Sequence, residues 1–231
     1  MKHFFISLLI GLSVFSFCNA QDNLNISNLD EFGNYINRKV SVNVNKSLFI
    51  EGSPYINDTF ELIKFKRFGD VIFLGRYNAN LGEMQIRRDN DTIVLNNSEN
   101  FEITFVSDKK VYKTYSYTQK DGSSTRGFLV VLKETDSMAV LKEEKIKFQE
   151  KKPSTNGYDK AKPAKYVRSK DLYYYRLGNK VSLLPQKRKE FLKLYPEHSN
   201  KLKEFIKQNK INLKEADDLI TLFGYIEKLI F

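Results

Sequence analysis

The chain is poor in the residues that carry most recognisable chemistry. It holds one cysteine, Cys18, two histidines, His3 and His198, and no tryptophan. Zinc sites are built from several Cys and His ligands, so that class has almost no material here. A Ser-His-Asp triad would have to use His198, which follows Pro196 at the start of a helical stretch, where a surface or capping role is the ordinary one. Glycine-rich phosphate loops are missing too: Gly75 and Gly82 fall in a strand pattern and a turn, not between a strand and a helix. The sequence therefore points to no cofactor, no metal and little catalytic equipment.

Long apolar runs are confined to the first residues. Lys2 and His3 precede an apolar run at 4–17, and Cys18-Asn19-Ala20 places small residues where signal peptidase reads them. The run is shorter than the roughly 20 residues a spanning helix needs, and no later segment compares. Cys18 raises lipidation, but Phe15-Ser16-Phe17 puts a bulky ring beside it where lipidation sites carry small residues. Residues 1–20 are thus expected to be a cleaved signal, and the mature chain an exported protein of the periplasm or cell envelope, with full secretion open. Its loss removes the sole cysteine, which excludes disulfides and thiol catalysis; about two hundred residues still suffice for a core without staples.

Positive charge is in excess: 38 Lys and Arg against 28 Asp and Glu give +10. The lysines are spread along the chain, as on a solvated surface. Outside the cytoplasm such a balance favours anionic lipid or anionic glycan over nucleic acid as a partner.

Over 62–142, short alternating runs are divided by polar turns, the mark of antiparallel strands with one buried face. Val71, Phe73, Gly75 and Tyr77 fall on one face, with Ile72, Leu74, Arg76 and Asn78 on the other. Met84, Ile86 and Arg88, then Ile93 and Leu95, then Phe101, Ile103 and Phe105 continue the series, and 111–118, 127–133 and 138–142 add three more strands. The breaks at 80–82, 88–91, 96–98, 107–108 and 121–124 are too short for anything but antiparallel neighbours. A plain meander follows, long enough to curl. The apolar pattern lapses over 143–170, which reads as a basic loop; 171–184 reads as a last hairpin about Gly178-Asn179.

From Pro185 onward the period becomes helical. Phe191, Leu192 and Tyr195 mark one stripe, Leu202, Phe205 and Ile206 a second, and Leu219, Ile220, Phe223, Ile226 and Ile230 a third, with Asn212 and Glu215 spaced as a capping box. The expected fold class is α+β, mainly β: an antiparallel β-meander forming a curled sheet or open barrel, with a C-terminal three-helix tail. Its divisions are a signal at 1–20, a lead segment at 21–59, the meander at 60–142, the loop at 143–170, the hairpin at 171–184 and the tail at 185–231.

Two constellations carry possible chemistry. Glu83, Asp89 and Asp91 lie near strand ends and are candidates for a carboxylate-dependent glycan hydrolase, which needs two acids across a cleft. Asp89-Asn90-Asp91 also opens like a calcium loop, but Ile93 stands where the next oxygen ligand belongs, and turn chemistry explains the same residues. Tyrosines are more suggestive. Tyr115, Tyr117, Tyr173, Tyr175 and Arg176 are candidate ligand or partner contacts, because rings beside a cation suit carbohydrate, lipid headgroups or a protein interface, although tyrosine is also a favoured strand residue.

The segment Gly52-Ser53-Pro54-Tyr55-Ile56-Asn57-Asp58, followed by Gly75-Arg76-Tyr77-Asn78-Ala79 and Glu83-Met84-Gln85-Ile86, resembles a family of uncharacterised exported β-rich proteins common in Bacteroidota, as does the helical tail. Those proteins often carry Asp before the Glu-Met pair, where this chain has Gly82. The resemblance implies an envelope location and no activity. The expected function is a non-enzymatic envelope or exported protein acting as a protein-interaction or structural module. Its alternative is a periplasmic carrier holding a lipid or acyl ligand in the curled sheet, with the glycan hydrolase behind both.

Overall fold

The structure, a computed structural model, describes residues 35–40, 50–154 and 161–230. The expected signal and much of the lead segment lie outside the described residues, as do 155–160 of the expected loop.

Strand alternation builds the body of the molecule. The chain enters with β1 (Ile36–Val40) and a two-residue β2 (Ile50–Glu51), then runs through β3 (Glu61–Phe65), β4 (Ile72–Asn78), β5 (Glu83–Arg88) and β6 (Asp91–Leu95). It continues with β7 (Glu102–Phe105), β8 (Val111–Thr118), β9 (Ser124–Glu134) and β10 (Met138–Glu143), and later β13 (Leu172–Leu177) and β14 (Lys180–Leu183). Eleven of these strands form one open antiparallel sheet in the order β1-β6-β5-β4-β3-β7-β8-β9-β10-β13-β14.

The order departs from a plain meander at β7, which returns to the free side of β3 instead of pairing with β6. Curling of β3 to β6 makes so short a link feasible, and Ile93 and Leu95 of β6 share one core with Phe101, Ile103 and Phe105. A second departure lies in the expected basic loop. It contains β11 (Ile146–Gln149) and β12 (Ala164–Arg168), which pair with each other and, through β12, with β2 in a separate three-stranded sheet. Of β11 only Ile146 is buried, and β12 is half-buried without alternation, so these strands print no period of two on the sequence.

Three apolar clusters divide the sheet. The concave face of the first half is filled by rings and branched chains, among them Ile63, Phe65, Tyr77, Met84, Phe101, Tyr112 and Phe128. Tyr77 and Tyr112 lie 4.8 Å apart between centroids, and Phe65 meets Phe73 edge-on at 5.1 Å. Gly75 permits this packing: a Cβ there would stand 2.4 Å from Ile63 Cδ1 across the β3–β4 pair.

Along β9, Phe128 and Val130 enter that first core while Leu129 points to the opposite face, into a small cluster with Tyr117, Ala139, Leu141, Tyr174 and Val181. On β10, Met138 and Val140 turn toward the helices. β9 and β10 are therefore covered on both faces, and their sequences read as nearly continuous apolar runs.

The tail folds as α1 (Arg188–Leu192), α2 (Ser199–Gln208) and α3 (Ala216–Ile230). It docks on the β10 and β13 face through Phe191, Leu202, Ile206, Leu219, Leu222, Phe223 and Ile226, and Lys133 reaches Glu227 at 2.9 Å. The buried stripe of α3 uses Leu222, while the expected Ile220 and Ile230 are exposed. Asn212 caps the approach to α3 by accepting from Lys214 N at 3.1 Å, but the carboxylate that reaches back to the Asn212 N–H is Asp218, at 2.8 Å, not Glu215. The helix begins one turn later than the spacing of Asn212 and Glu215 suggested.

Candidate functional site

The five candidate contact residues do not share one surface. Tyr173 and Tyr175 pack beneath the helices, whereas Tyr115 and Tyr117 project from β8 toward the opposite face. The Tyr115 hydroxyl donates to Glu134 at 2.7 Å, and Tyr117 is buried edge-on against Tyr174 at 4.9 Å. Arg176 donates to the carbonyls of Asp136 at 3.0 Å and Gly178 at 2.8 Å and lies 3.5 Å from Glu134, so its guanidinium clamps the β9–β10 turn.

The carboxylates sought for hydrolysis are apart and engaged. Glu83 opens β5, while Asp89 and Asp91 flank the turn at its other end, about 17–20 Å along a strand of this length. Two glycosidase acids stand within about 5–9.5 Å. Glu83 instead accepts with both oxygens from Arg38 Nη2, at 2.9 and 2.8 Å, and Asp91 is held by Lys39 at 2.7 Å.

A polar pocket of about 210 Å³ opens where the two curls of the sheet meet. The β4–β5 turn supplies Asn80 to Gly82, the β8 and β9 ends supply Tyr117, Gln119 and Arg126, and the β10–β11 link supplies Glu143, Glu144 and Lys145. These last two acids follow the apolar run of β10, and adjacency sends them into different surroundings. Glu143 accepts from Tyr174 at 3.0 Å and from Tyr117. Glu144 accepts from Tyr112 and draws Lys142 at 3.1 Å and Arg168 at 3.4 Å. Burial opposes ionisation of Glu144, but the hydrogen bond from Tyr112 and the charges of Lys110 and Lys142 prevail and hold its carboxyl below the usual range.

Burial, reinforced by these carboxylates, pushes the phenols of Tyr77 and Tyr112 well above their ordinary value, and Tyr117 rises for the same reasons. The site therefore combines fixed charges with protonated hydroxyls. A carboxylate with a lowered pKa is poorly suited to general-acid work near neutrality, so Glu144 serves here as a fixed acceptor.

Two details of the pocket wall stand out. Asn97 Oδ1 is buried without a hydrogen-bond partner among the described residues. Gly127 sits inside β9, where pairing with β8 is in continuous register and no bulge demands it. A Cβ there would meet only the Tyr117 side chain, Oη at 3.6 Å and Cε1 at 3.9 Å, both ordinary contacts. Glycine inside a strand costs about 0.5–1 kcal/mol relative to alanine and often marks a place where a ligand approaches.

The second feature is the convex outer face of β3, β4 and β5. Arg76 lies between the rings of Tyr55 and Phe60, at 3.6 and 4.4 Å, and Arg87 covers the other part of Phe60 at 4.3 Å. Arg76 also donates to Tyr55 Oη at 2.8 Å, Gln85 Oε1 at 3.0 Å and the Asp58 carbonyl at 3.1 Å, which fastens 55–60 onto the sheet. Beside this ladder, cross-strand pairs Leu62–Leu74 and Lys64–Ile72 leave Leu62 49% and Ile72 45% exposed.

Of the sequence candidates Tyr117 lies in the pocket, whereas Glu143, Glu144 and the Arg76 ladder are found only in the structure. The signals available were two acids closing the strand that begins Met138-Ala139-Val140-Leu141, and the nearness of Tyr55 and Arg76 to one another in sequence. Comparison of the chain with family models, with curated proteins and with solved structures finds no match.

Proposed function

We propose that this chain is a non-catalytic exported module of the cell envelope that docks a partner protein on the convex face of β3 to β5. The observation that carries this reading is the pairing of exposed Leu62 and Ile72 with the stacked cations Arg76 and Arg87 on a sheet face whose reverse side is a filled core. Rings, aliphatic chains and guanidinium groups together are the composition of interface anchors. The cations of the face and the net charge of +10 select an acidic segment as the occupant. The N-terminal apolar run and the likeness of 52–58 and 75–86 to exported proteins support the location. A carrier of lipid or acyl chains draws less support, since Phe65, Tyr112 and Phe128 occupy the concave face such a ligand would need.

Site-specific photo-crosslinking in the native envelope tests the reading. A crosslinker at position 62 is expected to capture one protein through an acid-rich segment, and the adduct is lost on Arg87→Glu and weakened by salt. The same probe on the helical tail at position 220 captures nothing comparable. Absence of any adduct at 62, a second copy of this chain, lipid alone, or the same adduct at both positions would contradict it.

A further inference from the structure

We propose that the small sheet of β11, β12 and β2 is a docking arm for a bilayer surface rich in anionic phospholipid. This arm is separate from the convex face of β3 to β5, and either proposal can fail without the other.

The arm has two unlike faces. Side chains alternate along paired strands, so Ile146 and Phe148 of β11 share a face with Tyr166 of β12, while Lys147 and Lys165 lie on the other. Ile146 roots the first face in the core, and Tyr166 packs against that core. Phe148 stands one step further out, 44% exposed, with its ring 5.2 Å from that of Tyr166. It is the one exposed phenylalanine among the described residues, and Ile50, paired with Ala164 on β12, extends its face at 38% exposure.

Charge follows the same outward course. Near the body, Lys142 pairs with Glu144 at 3.1 Å, Lys145 with Glu143 at 3.8 Å and Arg168 with Asp171 at 2.6 Å. Farther out, Lys147, Lys151, Lys152, Lys162 and Lys165 make no ion pair among the described residues, and Glu51 and Glu150 are the acids found beside them there. Reciprocal backbone hydrogen bonds between Lys152 and Lys162, at 3.0 and 2.9 Å, set like charges opposite one another at the outer end. Such opposition is destabilising in the free chain, and an anionic surface offsets it.

The two properties together select a bilayer. Lysine is depleted at protein interfaces, where arginine is preferred, as on the convex face. A polyanionic glycan would neutralise the lysines but leave Phe148 and Ile50 in water. An anionic bilayer serves both: the apolar face enters the interfacial layer, and the flexible lysine stems carry their ammonium groups to the phosphates.

Because the chain has no tryptophan, Phe148→Trp makes position 148 its sole indole. The purified exported chain with this change is mixed with vesicles of phosphatidylcholine alone and of equal parts phosphatidylcholine and phosphatidylglycerol. With the mixed vesicles the emission is expected to shift to the blue and to be quenched by brominated acyl chains; with phosphatidylcholine alone it stays unchanged, and high salt abolishes the response. Combining Lys151→Gln, Lys152→Gln and Lys162→Gln weakens binding about a hundredfold, roughly fivefold for each charge removed. The same exchange at Lys201, Lys203 and Lys207 of α2 leaves it unchanged. The three arm lysines are exposed, so the variant keeps its fold, which circular dichroism checks. No binding to the mixed vesicles, binding that leaves the indole unquenched, equal binding after the arm exchange, or a tighter response to heparin or a poly-glutamate peptide than to the vesicles would overturn the proposal.

Discussion

Strands β3 to β5 and strands β9 to β10 belong to one sheet but live under different conditions. The first group buries Ile63, Tyr77, Met84 and Ile86 on one side and presents Leu62, Ile72 and Arg87 to solvent on the other. The second is covered twice: on one side by the first core and the helices, on the other by the cluster around Leu141 and Tyr174. Alternation in the sequence of the first group and near-continuous apolarity in the second are direct consequences. Apolar residues on the bare face are therefore free of the folding role that apolar residues of β9 and β10 have, and a different use is open to them.

Substitutions can break or sharpen that contrast. Phe128→Ala removes a ring from the first core and is expected to cost about 3–5 kcal/mol in chemical denaturation. Leu141→Ala, on the doubly covered strand, is expected to cost about 2–5 kcal/mol; a cost near zero would remove the claim that the second face of β10 is packed. Gly75→Ala overpacks Ile63 and is expected to destabilise by about 1–3 kcal/mol.

Acid titration addresses the junction between the two regions. The folded carboxyl of Glu144 titrates below its ordinary value of 4.5, so its stabilisation is complete above that value and is lost as pH falls through the lowered one. Thermal midpoints measured from about pH 7 down to pH 2 are expected to fall less steeply in Glu144→Gln than in the wild type. At the alkaline end the sign is opposite in origin: Tyr77 and Tyr112 are raised above 10.0, so the unfolded chain releases their protons first and stability declines as pH passes that value. The smallest effect belongs to the bare face, where Leu62→Ala is expected to stay within about 0.5 kcal/mol of wild type.

Much of the sheet was legible because one-sided burial writes a period of two. Phe73 and Tyr77, Met84 and Ile86, and Phe101, Ile103 and Phe105 all point into the core that their spacing assigns to them. The tail was legible through its stripes. What failed to print was non-local or largely exposed: the return of β7 to β3 depends on curvature, and β11 and β12 bury only Ile146. The pocket unites residues from Tyr77 to Lys145 across several strands, so no window of sequence contains it. The segments at 52–58 and 75–86 stood out in the sequence, and their physical link emerges only when Arg76 is found stacked on Tyr55.

The most direct test of the contrast is thermal unfolding of the Leu62→Glu, Ile72→Glu double variant. A bare convex face predicts a midpoint within about 2–4 °C of wild type, the shift that about 1 kcal/mol produces in a chain of this size. A fall comparable to that of Leu141→Ala would mean that this face is covered within the folded chain, and the docking surface would be lost with it.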